Sequence, residues 1–237
     1  MSEWKARRFW TAAGVERVEG GHAVRLDGRP VRSPLKSELV VPSEALAAGI
    51  AAEWQAQGEV IAPLTMPLTR AANAAMDKVA PQHGAVADEL AGYGGSDLLC
   101  YRAEAPAALV ERQAEAWDPM LDWAAERLGA RLVVTRGVMP VAQPANAIEA
   151  LRAQVHRYSA WELTALSEFV TLSGSLVLGL AAIEGARPAE AVWPLGRVDE
   201  EWQAEQWGAD EEEAERVALK RAAFLQADRF LELLRAS

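Results

Sequence analysis

The chain has 237 residues, 51% of them hydrophobic and 24% charged, and a formal net charge of −10 at pH 7. That length supports one or two domains and excludes global disorder; the acidic balance excludes a general nucleic-acid binder, which needs basic surface to neutralise phosphates. A single cysteine, Cys100, excludes a disulfide framework and any cysteine-built zinc site.

The first forty residues read as β structure. Short runs at Phe9–Thr11, Ala23–Leu26 and Glu38–Val41 are separated by turns. Asp27-Gly28 predicts a hairpin between His22–Leu26 and Arg29–Arg32, because glycine accepts positive φ without steric cost. Pro30 and Pro34 imply edge or irregular strands there. At Ser43 the period changes: Ser43 is an N-cap candidate, and Leu46, Ile50 and Trp54 share one helical face, with a stop near Gly58. Pro63–Pro67 is a connector, followed by helices over Leu68–Val79 and Pro81–Leu90 and a turn at Gly92–Asp97.

From Pro106 the pattern is helical: Ala107–Leu128, kinked or broken at Pro119, then Pro144–Tyr158, Ala160–Ile183, Pro188–Trp207, broken at Pro194, and Ala209–Arg235. Arg131–Thr135 is a short strand or extended link. Leu163–Ile183 is long enough to span a bilayer, but it contains Glu168 and several hydroxyls and follows a Ser159-x-x-Glu162 capping box, so a core helix is expected. Gly208 is placed to stop the helix before it. The expected fold class is therefore α+β. A small N-terminal domain with antiparallel strands mixed with helices (1–98) precedes an all-helical C-terminal domain (99–237). No apolar leader segment opens the sequence, and the Arg-rich, Asn-poor usage suits a bacterial, cytoplasmic protein.

No catalytic motif emerges. There is no phosphate-binding P-loop, no dinucleotide glycine fingerprint and no nucleophile elbow. His22, His83 and His156 are far apart and read as surface or helix-cap residues, and Cys100 reads as a small buried hydrophobe. The expectation is a protein that is not an enzyme and has no cofactor, metal site or small-molecule substrate. Charge is uneven: residues 184–215 hold eleven acidic residues against two arginines, a net −9. Such a field is a solvated helix face or a docking surface for a basic partner.

Nine tryptophans is a high number. Trp54 lies in Glu53-Trp54-Gln55-Ala56-Gln57, and Trp202 and Trp207 lie in the acidic stretch Asp199–Gly208. Two tryptophans five residues apart cannot both be buried on one narrow stripe, so one of them is a candidate surface anchor.

The ordered set Arg8-Phe9-Trp10, Leu26-Asp27-Gly28-Arg29-Pro30-Val31, Val41-Pro42-Ser43, Glu53-Trp54-x-x-Gln57 and Met66-Pro67-Leu68-Thr69 continues along the chain. It ends with Asp97-Leu98-Leu99-x-Tyr101-Arg102, Gln113-x-x-x-Trp117-Asp118-Pro119 and Glu200-Glu201-x-Gln203-x-x-x-Trp207-Gly208. This pattern resembles the ATP-twelve family of ATP synthase assembly chaperones. The resemblance implies a small α+β domain followed by a helical one. It also implies a chaperone that binds the unassembled alpha subunit of the catalytic head and shields the surface meant for the beta subunit. Carried onto this sequence, the acidic C-terminal motif implies partner contacts at Glu200, Glu201, Gln203 and Trp207. Trp202 is the other candidate anchor, and Glu53 and Trp54 match a further family motif whose role could equally be structural. The expected partner is the alpha subunit, held transiently by a monomer, with no nucleic acid and no membrane insertion. The expected compartment is the bacterial cytoplasm, or the mitochondrial matrix for a processed form. The competing readings are an enzyme with an acidic cleft and a general acidic protein-binding module.

Overall fold

The computed structural model describes residues 7–137, 139–208 and 210–236. They form two compact units, 7–81 with 229–236 and 82–228. The expected domain boundary at 98/99 falls inside the second unit, beside a buried aspartate, Asp97.

In the first unit β1 (Ala13–Val18) and β2 (Gly21–Leu26) form an antiparallel pair, and β3 (Arg29–Pro30) and β4 (Val40–Val41) both pair with β2 antiparallel. The Asp27-Gly28 turn forms as expected: Leu26 faces Arg29, and both turn residues have positive φ, 47° and 78°. Gly21 is obligatory, since a Cβ there would lie 2.3 Å from the Val41 carbonyl oxygen. Phe9–Thr11 is not a strand. Arg8 instead donates from its guanidinium to the carbonyls of Gln55 (3.1 Å) and Gln57 (2.6 Å), and the Asp27 carboxylate accepts from the backbone of Thr11 and Ala12. Those two backbone donors hold the Asp27 carboxyl below its ordinary range.

Ser43 caps α1 (Glu44–Gln55), accepting from Leu46 N. Leu46, Ala47, Ile50 and Ala51 bury the inner face of the helix. It ends at Gln55, ahead of Gly58, where Arg8 collects the terminal carbonyls. α2 (Pro67–Ala74) runs on through a wider turn at Ala75–Val79. The final helical turns, residues 229–235, complete this unit: the Ser43 hydroxyl donates to the Leu233 carbonyl at 2.6 Å, and Phe230 and Leu231 are buried.

The second unit opens with α3 (His83–Gly92), then β5 (Tyr101–Arg102) and α4 (Ala107–Arg127), which runs unbroken through Pro119. β6 (Thr135–Arg136) pairs with β5 in parallel, and α5 (Ala145–Val155) follows. His83 and His156 sit at helix ends, His83 against the Tyr158 carbonyl and His156 against Asp88.

The expected single core helix is two helices. α6 (Ala160–Ser173) starts at the predicted capping box and stops at Gly174, whose φ is 71°. Ser175 then caps α7 (Leu176–Ile183), all eight residues of which are buried. Asp97 fixes this corner: it accepts from Ser175 Oγ (2.7 Å), Val177 N (2.9 Å) and Leu99 N (3.1 Å). Among the described residues no helix is long and apolar enough to cross a membrane.

α8 (Ala189–Val192), a tight turn at Trp193–Arg197, α9 (Val198–Trp207) and α10 (Glu211–Arg235) finish the chain. The break expected at Pro194 is present; Ala209, the expected first residue of the last helix, lies outside the described residues. Trp193 and Phe169 both pack on Phe224 in the core.

Cys100 is buried, and desolvation, with the nearby Asp97 charge, pushes its thiol up to about 12. It should resist a thiol reagent such as Ellman's reagent in the folded protein and release one equivalent in denaturant, because the thiolate is the reactive form. Rapid labelling of the native protein would contradict this environment.

Candidate functional site

The acidic helix α9 has little apolar anchoring, since Val198 is its one buried residue. It is seated by polar contacts from α4. The Trp117 indole N–H donates to the Leu195 carbonyl at 2.7 Å, just ahead of α9. Gln113, itself buried, accepts from Ala103 N through its Oε1 and donates from Nε2 to Asp199 at 2.6 Å. Arg112 meets Glu205 at 2.7 Å and Glu201 at 3.7 Å. Its hydrogen bond draws the Glu205 carboxyl below the usual range and raises the guanidinium further. Trp117 is fully buried and is covered by Arg102, which stacks on its ring and pairs with Asp118 at 2.8 Å.

At 100° per residue these contacts divide the helix into two faces. Glu201, Glu205, Val198 and Trp202 fall on the side turned to α4, and Trp202 is half-buried. Glu200, Gln203, Ala204 and Trp207 fall on the opposite side, and all four are exposed. Trp207 is 79% exposed, and among the described residues Glu200 makes no ion pair. From Glu200 to Trp207 the stripe spans about 10 Å of helix axis. Gly208, at φ 88°, ends the helix directly after Trp207. Three more acids, Glu211 to Glu213, open α10, where the helix N-terminus favours negative charge.

The residues expected from the sequence on this helix are divided between its two faces. Glu200, Gln203 and Trp207 come together on the open face, whereas Glu201 and Trp202 face inward. Arg112, one residue before the quoted Gln113-x-x-x-Trp117 pattern, is the residue that sequence reasoning missed.

The Glu53-Trp54 motif lies in the first unit, and Glu53 has an internal task. Its carboxylate accepts from Leu68 N, Thr69 N and Thr69 Oγ1 at 2.7–2.8 Å, capping the start of α2. Gln57 is similarly engaged, with Glu53 O, Thr65 Oγ1 and Ala62 N. Trp54 is half-buried, edge-on to Trp10 with ring centroids 5.2 Å apart, and both indole N–H groups are buried without a partner among the described residues. No cluster of histidine, cysteine or acidic side chains suited to a metal ion occurs among the described residues.

A family model described as ATP12 chaperone protein matches residues 7–125. The chain is similar to the mitochondrial protein atp12 of Schizosaccharomyces pombe, 25% identical over 219 residues, covering 87% of this chain and 75% of that protein. It is also similar to the crystal structure of Atp12 from Paracoccus denitrificans: 55% identity, a TM-score of 0.95, and coverage of 98% of this chain and all of that one. The structure of the Atu1473 protein of Agrobacterium tumefaciens matches at 44% identity and a TM-score of 0.92, covering 97% of this chain and 86% of that one.

Proposed function

The chain belongs to the ATP12 chaperone family, and from that premise we propose that it assists assembly of the ATP synthase catalytic head by binding the unassembled alpha subunit and shielding its beta-subunit interface. The docking surface is the outward stripe of α9. The observation that carries this reading is the exposure of Trp207 beside unpaired Glu200 and Gln203 on one face of a helix whose other face is fastened to α4. An exposed indole is costly to leave in water and is a typical interface anchor, while acidic neighbours set on-rate and register against a basic surface. Glu201 and Trp202 act from the inner side by seating the helix. Glu53 and Trp54 support the first unit, with the Trp54 ring the remaining candidate contact there. The chaperone acts as a monomer in a bacterial cytoplasm, without a catalytic step of its own.

Mixing the protein with isolated alpha subunit should give a one-to-one complex by size-exclusion chromatography with light scattering, and added beta subunit should displace the chaperone. Glu201→Lys, which turns a cation toward Arg112, should weaken the complex at low salt. No complex across a range of salt would reject the alpha subunit as client. Equal binding to unrelated basic proteins, lost uniformly with salt, would favour a general acidic module.

A further inference from the structure

Arg112 is attached to α4, yet among the described residues both of its ion pairs are with α9. One guanidinium straddles Glu201 and Glu205, which are four residues apart and would otherwise repel each other. The apolar contacts of α9 come from buried Val198 and half-buried Trp202, both in its first half, and beyond them no residue of the helix is buried. Gln113 and Trp117 pin the start of the helix and the turn before it. Arg112 is the contact furthest along, reaching Glu205 two residues before Trp207.

We propose that Arg112 is a positioning residue for the docking stripe. It holds Glu201 and Glu205 inward so that Glu200, Gln203 and Trp207 face the client, although Arg112 itself does not touch it. A turn of α9 by one residue, about 100°, would move Glu201 into the place of Glu200 and carry Trp207 off the stripe. The two acidic residues named together in the sequence motif therefore have different tasks, and Arg112 decides which is which. This inference rests on the docking reading above.

The test is titration of isolated alpha subunit with the full chain and four variants: Glu200→Lys, Trp207→Ala, Arg112→Glu, and the exchange Arg112→Glu/Glu205→Arg. The pair is partly exposed, so Arg112→Glu should leave the thermal midpoint within about 2 °C of the parent. It should nevertheless weaken binding roughly 10-fold and speed hydrogen exchange at α9 amides. The exchange variant puts the arginine between two acids again and should restore both affinity and protection. Wild-type affinity in Arg112→Glu, with Glu200→Lys and Trp207→Ala weakened, overturns the positioning role and leaves the docking reading standing. Weakened binding that the exchange variant does not recover, with the fold intact, also overturns it, because Arg112 would then contact the client itself. Wild-type affinity in all four variants overturns the docking reading together with this inference.

Discussion

Asp97→Ala should lower the stability of the protein by about 3 kcal/mol, enough to shift the thermal midpoint by roughly 6–12 °C in a chain of this size. The carboxylate is wholly buried, and its acceptors serve Ser175 Oγ, Val177 N and Leu99 N. Alanine strands these donors in a dry corner, and each unsatisfied group costs about 1–3 kcal/mol, partly offset by relief from burying a charge. Asp97→Asn keeps one acceptor and presents an amide N–H₂ where an acceptor is needed, so it should cost about 1–2 kcal/mol. Burial is the leading influence on the Asp97 carboxyl and lifts it above the ordinary 3.8, against the pull of its donors. The folded chain therefore holds that proton more tightly than the unfolded chain. The contribution of this group is greatest below 3.8 and is lost as pH rises through the folded value. The stability advantage of the parent over Asp97→Asn should thus narrow from acidic to neutral pH in paired denaturant titrations. A near-neutral Asp97→Ala would mean that α7 does not depend on this cap.

Trp207→Ala should behave in the opposite way. The side chain is 79% exposed at the end of α9, so its removal should change stability by less than about 0.5 kcal/mol. Affinity for the alpha subunit should fall about 10- to 100-fold, the 1.4–2.8 kcal/mol typical of truncating an aromatic anchor. Calorimetric titration alongside a melting curve separates the two quantities. Undiminished affinity in a folded Trp207→Ala variant would remove the indole from the interface.

What could be read from the sequence was what is local. The Ser43 and Ser159 caps, the Asp27-Gly28 hairpin and the Gly208 stop each depend on residues within four positions of one another, and all four are present. β1 was missed because its middle residues are exposed on both sides, so no alternation of apolar and polar residues marks it. The break between α6 and α7 has local signals too, the Gly174 stop and the Ser175 cap, but they lie inside a continuous apolar run that masks them; only the tie of Ser175 to Asp97, 78 residues away, is beyond local reading. Likewise Gln113 reaches Asp199 across 86 residues, and Arg112 reaches Glu205 across 93. Two motifs that looked separate along the chain are thus the two sides of one contact. Glu53 illustrates the same limit at shorter range: its partners lie 15 and 16 residues ahead, and nothing in the motif reveals that its carboxylate is already occupied.

The first unit takes its closing turns from residues 229–235, with Leu233 against Ser43 and Gly49. During synthesis its sheet and α1 leave the ribosome early, yet their missing wall arrives roughly 170 residues later, on the order of ten seconds or more at ordinary elongation rates. Through that interval the N-terminal third is an unfinished shell, and it can close only after the 82–228 segment has been made. A premature stop or a bulky fusion near residue 230 should therefore wound the beginning of the protein rather than its end.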